Sequence, residues 1–282
     1  GGSGTRLFPS TISVNKHLLP VFDKPMIYYS LSVLMLAGIR EYLIITTPRD
    51  VEGFEQLLKN GQQLGIKINY AVQEHPNGIA EAFILGEDFI GNGPIALILG
   101  DNILFGVGLG RRLQKIESDK KAIIFSYEVK NPERYGVVEI DEDGNAISIE
   151  EKPNSPKSRL AIPGLYMYPN DVVKRAHALS PSARGELEIT DINKGYMDEG
   201  RLKVISLSRG YAWLDAGTEA ALLDASNFIS AIENRQGLRI GSVEEVAWLM
   251  GWISIVELAD MARSMSSSDY GKYLQKLVDG QT

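Results

Sequence analysis

The chain contains no cysteine, and that single absence removes disulfides, thiolate zinc sites and cysteine nucleophiles together. Histidine is nearly as scarce. His17, His75 and His177 stand far apart without metal-ligand spacing and read as surface or loop residues rather than ligands. Positive charge is not in excess: 29 Lys and Arg against 36 Asp and Glu give a formal net charge of −7. A general affinity for nucleic acid or anionic membrane therefore has no support. Long apolar runs are lacking too. The longest, Met26 to Ile39, is too short for a bilayer and is interrupted by Tyr28, Tyr29, Ser30 and Ser32. No secretory signal pattern or internal repeat is visible. The expectation drawn from these absences is a cytoplasmic setting.

What is present is ordinary for a globular chain: 282 residues, 44% hydrophobic and 23% charged, enough for one sizeable domain and an appendage. With an acidic balance, an anionic substrate has to be held by a few placed cations. The sequence opens on Gly1-Gly2-Ser3-Gly4-Thr5-Arg6. Glycines let backbone N–H groups approach a phosphate closely, and Arg6 and Lys16 would add fixed positive charge. Such a loop normally follows a strand. The expectation is that the first strand is missing ahead of Gly1, and that a protein starting there is unstable or inactive. The spacing does not fit a P-loop, which needs Lys directly after Gly.

Along the chain, helical and strand periods alternate. Pro25 to Gly38 reads as a helix, Tyr42 to Thr47 as a strand, and Asp50 to Leu64 as a helix with Asp50 as its N-cap. Lys67 to Val72 is a strand, Ile79 to Phe89 a helix, and Ile95 to Leu99 a wholly apolar strand suited to the middle of a parallel sheet. Strands then dominate: Ala122 to Tyr127, Val137 to Ile140, Ala146 to Glu150 and Leu160 to Tyr168, with a hairpin signal at Asp141 to Asn145. Helices follow at Asp171 to Leu179 and Ile189 to Glu199, a strand at Leu202 to Leu207, and helix from Thr218 onward. This order predicts an α/β fold with an open, doubly wound mixed sheet over residues 1–230 and a small helical subdomain over 231–282.

Two carboxylates end strands. Asp101 follows the apolar strand in Leu99-Gly100-Asp101-Asn102, and Asp215 closes Tyr211 to Asp215. Each position suits either a magnesium ligand at the carboxyl edge of the sheet or a local Asx turn or cap. Glu151 and Lys152 before Pro153 fit a sugar hydroxyl and a phosphate, or a solvated edge strand. Tyr135, Gly136 and Trp213 fit a hexose wall or core packing, and Arg184 a phosphate cation or an exposed loop residue.

Taken together, GGSGTRL (1–7), LLPVFDKPMIYY (18–29), LGDNI (99–103), ERYGVVE (133–139), EEKP (150–153), GELEITDIN (185–193) and GYAWLDAGT (210–218) run in family order through most of the chain. In combination they closely resemble the bacterial glucose-1-phosphate thymidylyltransferases among the sugar nucleotidyltransferases. The resemblance implies a Rossmann-like nucleotidyltransferase fold and a direct displacement. In it the phosphate oxygen of glucose 1-phosphate attacks the α-phosphorus of dTTP, and Mg2+-bound pyrophosphate leaves.

By the same resemblance Arg6 and Lys16 are catalytic cations, and Asp101 and Asp215 are catalytic metal ligands. Gly1, Gly4, Thr5, Arg6, Lys16, His17, Gln73, Gly78 and Asp101 hold the nucleotide. Tyr135, Gly136, Glu151, Lys152, Ile162, Arg184 and Trp213 hold the sugar phosphate. A homotetramer, a dTDP-rhamnose pathway and feedback by a downstream dTDP-sugar are also implied. Three departures stand out: His17 replaces the usual Gln, Ser30 the usual Pro and Ala216 the usual Thr. Ser30 and Ala216 are expected to alter only local rigidity. The alternatives are a related enzyme using UTP, CTP or ATP, and a non-catalytic sugar-nucleotide-binding regulatory protein. No nucleic acid or membrane partner is expected.

Overall fold

A computed structural model of the protein describes residues 4–118 and 120–280. After single 3-10 turns at Thr5–Leu7 and Lys16–Leu18, the two-residue strands β1 (Pro20–Val21) and β2 (Lys24–Pro25) form a small hairpin. Pro25 then leads into helix α1 (Met26–Leu36), in keeping with the fixed φ of proline at a helix start. Strand β3 (Glu41–Thr46), helix α2 (Val51–Leu58) and strand β4 (Lys67–Val72) follow, with β3 and β4 parallel.

The helix expected over Asp50–Leu64 stops at Leu58, beyond which Lys59 has φ 51° and a 3-10 turn covers Gln62–Leu64. Asp50 makes no side-chain cap bond, because its carboxylate is engaged elsewhere. The helix expected over Ile79–Phe89 is divided into α3 (Glu81–Leu85) and α4 (Glu87–Ile90) at Gly86. Glycine is a poor helix former, and here a Cβ would lie 3.2 Å from the Leu43 side chain.

Strands β5 (Ile95–Ile98) and β6 (Asn102–Gly106), helix α5 (Leu109–Gln114) and strand β7 (Ala122–Glu128) complete the first half. The predicted hairpin is β8 (Gly136–Ile140) with β9 (Ala146–Glu151), its turn held by Asn145 N–H donating to Asp141 Oδ1 at 2.8 Å. The strand expected over Leu160–Tyr168 is two, β10 (Leu160–Ala161) and β11 (Leu165–Tyr168). Between them Pro163 has no N–H to give a ladder; both segments pair with β7, while their other edges meet β8 and β5 respectively. Helices α6 (Val172–Ala178) and α7 (Ile189–Asp198) and strands β12 (Leu202–Leu207) and β13 (Tyr211–Asp215) lie where the periodicity puts them.

The largest sheet is mixed, running β5-β11-β7-β10-β8-β9, with β12 parallel to β7 along its length. One expectation is overturned here. Among the described residues β5 does not sit in the middle of a parallel sheet; it ends this strand order, paired antiparallel with β11. Both faces of the sheet are covered. Ile123 and Phe125 of β7 join α1 and the C-terminal helices in one core, while Ala122 and Ile124 pack with Ile189, Ile192 and Tyr196 of α7 in another.

Helix α8 (Glu219–Gln236) runs unbroken through the expected boundary at 230 and closes on Gly237 at φ 70°. Helices α9 (Val243–Leu249), α10 (Ile255–Ser264) and α11 (Asp269–Asp279) each begin at a serine whose hydroxyl accepts a first-turn N–H. Their apolar faces share the α1 core. No helix of the described residues is long and apolar enough to cross a membrane.

Candidate active site

The chain leaves β5 through Leu99-Gly100-Asp101 and enters β6. Asn102 N–H closes that turn on Leu99 O at 3.0 Å. A side chain at Gly100 would collide with His17, whose Cγ lies 2.9 Å from the position of a Cβ. Ser30 Oγ lies 3.2, 3.0 and 3.2 Å from the carbonyl oxygens of Leu99, Gly100 and Asn102. The buried α1 hydroxyl therefore fastens the Asp101 turn, which is more than the local rigidity expected of it. Strand β13 lies antiparallel to β6 with Asp215 opposite Asn102, and Ala216 N–H donates to Asp101 O at 3.0 Å. The two predicted carboxylates thus emerge side by side from neighbouring segments of the backbone.

Cations surround them. Lys16 Nζ pairs directly with Asp101 Oδ2. Burial pushes the Asp101 carboxyl up, but Lys16 and the Asn102 amide outweigh it and hold the pKa at about 2. Asp215 goes the other way, raised by burial and by Asp101, against the pull of Lys16, Arg6 and Arg134. A carboxylate pair of this kind gains from a further cation placed between its members. Burial and Lys16 together lower His17 to about 4, so its imidazole is neutral near pH 7.

The position of Lys16 is set by Asn15, which no motif marks, and by Asp50, expected only as a helix cap. Asn15 Oδ1 accepts from His17 N at 3.0 Å, starting the 3-10 turn that carries Lys16, and Asn15 Nδ2 donates to Asp50 Oδ2 at 2.8 Å. Asp50 in turn accepts from Thr47 Oγ1 at 2.7 Å. Asn102 is the second overlooked residue. Its Oδ1 accepts from Gly164 N–H at 2.8 Å and from Trp213 Nε1 at 2.7 Å, and its Nδ2 donates to Asp101 Oδ1 at 3.0 Å. Its place directly after Asp101 was the only sequence signal.

On the predicted base side, Gln73 Nε2 donates to Glu81 Oε2 at 2.6 Å and reaches Gly78 O at 3.3 Å. Gly78 has φ 109°, and a Cβ there would lie 2.4 Å from Leu187 O, so only glycine fits. On the predicted sugar side, the Tyr135 and Trp213 rings meet at 4.9 Å. Ile162 N–H donates to Gly136 O at 2.8 Å, and Thr190 Oγ1 donates to Glu151 Oε2 at 2.7 Å. Lys152 sits at φ 43°, a strained backbone for a side-chain-bearing residue, and its Nζ lies 3.5 Å from Glu151 Oε1. Arg184 grips Glu188 through Nη2 at 2.8 Å and lies 3.3 Å from Glu186 and 3.7 Å from Glu151.

Nearly all the predicted residues therefore line one cleft of about 480 Å³, within the usual range for small-molecule sites. Arg6, Lys16, His17 and Asp101 stand on one wall with Asp215; Gln73 and Gly78 form a second; Tyr135, Gly136, Glu151, Lys152, Ile162, Arg184 and Trp213 form the third. Gly4 and Thr5 do not line it. Gly4 is left-handed at φ 66°, its carbonyl accepts from Thr11 Oγ1 at 2.8 Å, and it starts the turn that carries Arg6. Gly1 lies outside the described residues. Among the described residues no group of three or more His, Cys, Asp or Glu side chains is arranged to hold a metal. Two adjacent carboxylates nevertheless suit magnesium, which takes one or two carboxylates and completes its shell with phosphate oxygens and water.

An acidic pair flanked by cations, at the carboxyl ends of β5 and β13, stands where α/β folds commonly bind their ligands. The chain belongs to the nucleotidyl transferase family, whose pattern matches residues 1–232. It is similar to the glucose-1-phosphate thymidylyltransferase of Mycobacterium tuberculosis, 53% identical over 279 residues, covering 99% of this chain and 97% of that one. A solved Bacillus anthracis structure in complex with a sucrose aligns at a TM-score of 0.75 and 40% identity, over 80% of this chain and 91% of that one. A UDP-glucose pyrophosphorylase complexed with UDP-glucose aligns at 0.71 and 27%, over 83% and 96%.

Proposed function

We infer that this nucleotidyl transferase moves a thymidylyl group from dTTP to glucose 1-phosphate, giving dTDP-glucose and pyrophosphate. The observation that carries the reading is the Lys16–Asp101 pair beside Asp215, facing Glu151, Arg184 and Trp213 across a single cleft. The near-full-length match to a glucose-1-phosphate thymidylyltransferase supports the choice of base and sugar.

Arg6 and Lys16 bind and orient the triphosphate, and their fixed charge stabilises the negative charge that develops in transfer. Asp101 and Asp215 would hold Mg2+, which supplies charge neutralisation at the phosphate oxygens. Glu151, positioned by Thr190, takes a sugar hydroxyl. Lys152 and Arg184 hold the sugar phosphate, and the Tyr135–Trp213 pair forms an apolar wall for the hexose. Gln73 and the Gly78 backbone face the base. No covalent nucleophile is required, because positioning and electrostatics carry such transfers. The helical segment after Gly237 as a C-terminal subdomain, a homotetramer and a cytoplasmic setting belong to the same proposal, and sedimentation of the purified chain tests the assembly.

The reading is tested by pyrophosphate release with glucose 1-phosphate and each of dTTP, UTP, CTP and ATP. A preference for dTTP is expected; equal or greater turnover with UTP would move the assignment toward the UDP-glucose enzymes. Asp101→Asn is expected to lower magnesium-dependent turnover by about 100-fold or more, the scale seen for loss of one charge-stabilising group. Nucleotide binding without measurable turnover in the unaltered chain would favour a regulatory binding protein.

A further inference from the structure

Gln73 directly follows β4, is buried, and is fixed by its backbone, its N–H donating to Thr46 O at 2.8 Å. Its side-chain nitrogen has two partners, Glu81 Oε2 at 2.6 Å and Gly78 O at 3.3 Å. A carboxylate and a backbone carbonyl can only accept hydrogen bonds. The amide is therefore oriented. Its nitrogen is committed to Glu81 and Gly78, and its oxygen, Oε1, is the atom it can offer to a ligand.

Glu81 opens α3, where the helix dipole favours a carboxylate in the first turn. It does not border the nucleotide cleft, although Gln73, Gly78 and Ile79 do. Both of its oxygens are engaged by side-chain amides of the same loop, because Oε1 accepts from Asn77 Nδ2 at 2.8 Å. Asn77 is anchored in turn. Its backbone oxygen accepts Leu187 N–H at 2.6 Å, and Ala80 N–H donates back to Leu187 O at 3.2 Å. With Glu81 held in this way, turning the Gln73 amide over would set an amide oxygen against a carboxylate oxygen.

That orientation selects among bases. Thymine and uracil carry a donor, N3–H, between two carbonyl acceptors, whereas cytosine carries an acceptor at N3. The Gln73 oxygen meets the first as a hydrogen bond and the second as opposed lone pairs. A flipped amide would reverse the preference. Sites built to hydrogen-bond a substrate group reject the analogue that lacks it, because their own polar atom is left unpaired.

We propose that Glu81 is a specificity-determining positioning residue, which locks the Gln73 amide with its oxygen toward the base and so selects a base bearing N3–H over cytosine. The proposal rests on Gln73 facing the base, as in the function proposed above, and assigns a role to a residue that the cleft itself does not include.

The test measures binding of dTTP, dUTP and dCTP with Mg2+ to the 282-residue chain by titration calorimetry, which needs no turnover. The unaltered chain is expected to bind dTTP and dUTP about tenfold or more tighter than dCTP. Glu81→Met, which fills similar space without an acceptor, should bring that ratio close to one by freeing the amide to turn over. Glu81→Gln keeps a carbonyl that can accept from Gln73 and should retain more of the selectivity than Glu81→Met. Glu81→Ala gives the same readout should Glu81→Met fail to fold. Undiminished selectivity without the Glu81 acceptor would overturn the proposal. So would an equal loss of affinity for all three nucleotides with a lowered Tm, the mark of a merely structural role. A preference for uridine over thymidine nucleotides would overturn the thymidylyl assignment and leave this role standing, since the two bases share the N3–H edge. No selectivity against dCTP in the unaltered chain would overturn both.

Discussion

The Trp213 indole N–H donates to Asn102 Oδ1 at 2.7 Å, across the β6–β13 ladder and one residue from Asp101. The same oxygen accepts the Gly164 N–H, and the Asn102 amide donates to Asp101. One buried side chain thereby couples a hexose-side aromatic, the β10–β11 connection and a proposed metal ligand. Asn102→Leu leaves Trp213 Nε1 and Gly164 N–H without a partner. A buried unsatisfied donor costs about 1–3 kcal/mol, so two should cost about 2–6 kcal/mol in thermal unfolding, with kcat reduced as Asp101 loses its support.

Gly78 meets the Leu187 backbone at a distance no Cβ tolerates, and its φ of 109° already excludes most other residues. Gly78→Ala must push the Gln73–Gly78 segment away from 185–193. The expected outcome is a KM for dTTP raised about tenfold or more, since a displacement of about 1 Å can cost a factor of 100. The KM for glucose 1-phosphate should change much less. Equal effects on both substrates would place Gly78 outside the base side.

Arg184 is held by carboxylates that a bound phosphate would have to outcompete. Its side chain is 41% exposed, so removing it should cost less than about 1 kcal/mol in stability. Arg184→Ala is expected to raise the KM for glucose 1-phosphate about tenfold while the Tm stays nearly constant. A large fall in Tm with unchanged KM would assign it a structural role instead.

Glu244 carries a pH dependence in the C-terminal helices. Burial raises its carboxyl above the usual 4.5, against the opposing hydrogen bond from Tyr270 and the charge of Lys24. The folded state therefore binds this proton more tightly than the unfolded one, and stability falls as pH rises from 4.5 through the folded value. Glu244→Gln keeps an acceptor for Tyr270 and removes the titration. Its Tm should exceed that of the parent at pH 8, with the difference closing toward pH 4.5. A difference independent of pH would show that packing alone is responsible.

Much of this molecule was legible before any coordinates. Lys67–Val72 and Leu202–Leu207 form the strands their composition announces, because β-branched runs between turn residues have few other stable arrangements. Fourteen of the site positions assigned from the family resemblance line one cleft, eight of them within the quoted motifs. Local rules failed where a distant partner intervened. Asp50 was expected to cap α2 and instead holds Asn15, 35 residues away. The strand over Leu160–Tyr168 divides at Pro163, its halves sharing β7 but meeting β8 and β5 on their other edges.

The sequence by itself determined the alternation of elements, the pairing of two strand-end carboxylates with a few cations, and the exclusion of thiol chemistry. Only the tertiary structure decided how those groups are held. Asn15, Asn102, Ser30 and Thr190 act through hydrogen bonds to residues between 35 and 111 positions away. It also decided that β5 ends a sheet order its apolar composition suits to the interior. The reason in each case is the same. Hydrophobic period and turn chemistry are written in neighbouring residues, whereas buried polar partners and strand edges are set by which segments the fold brings together.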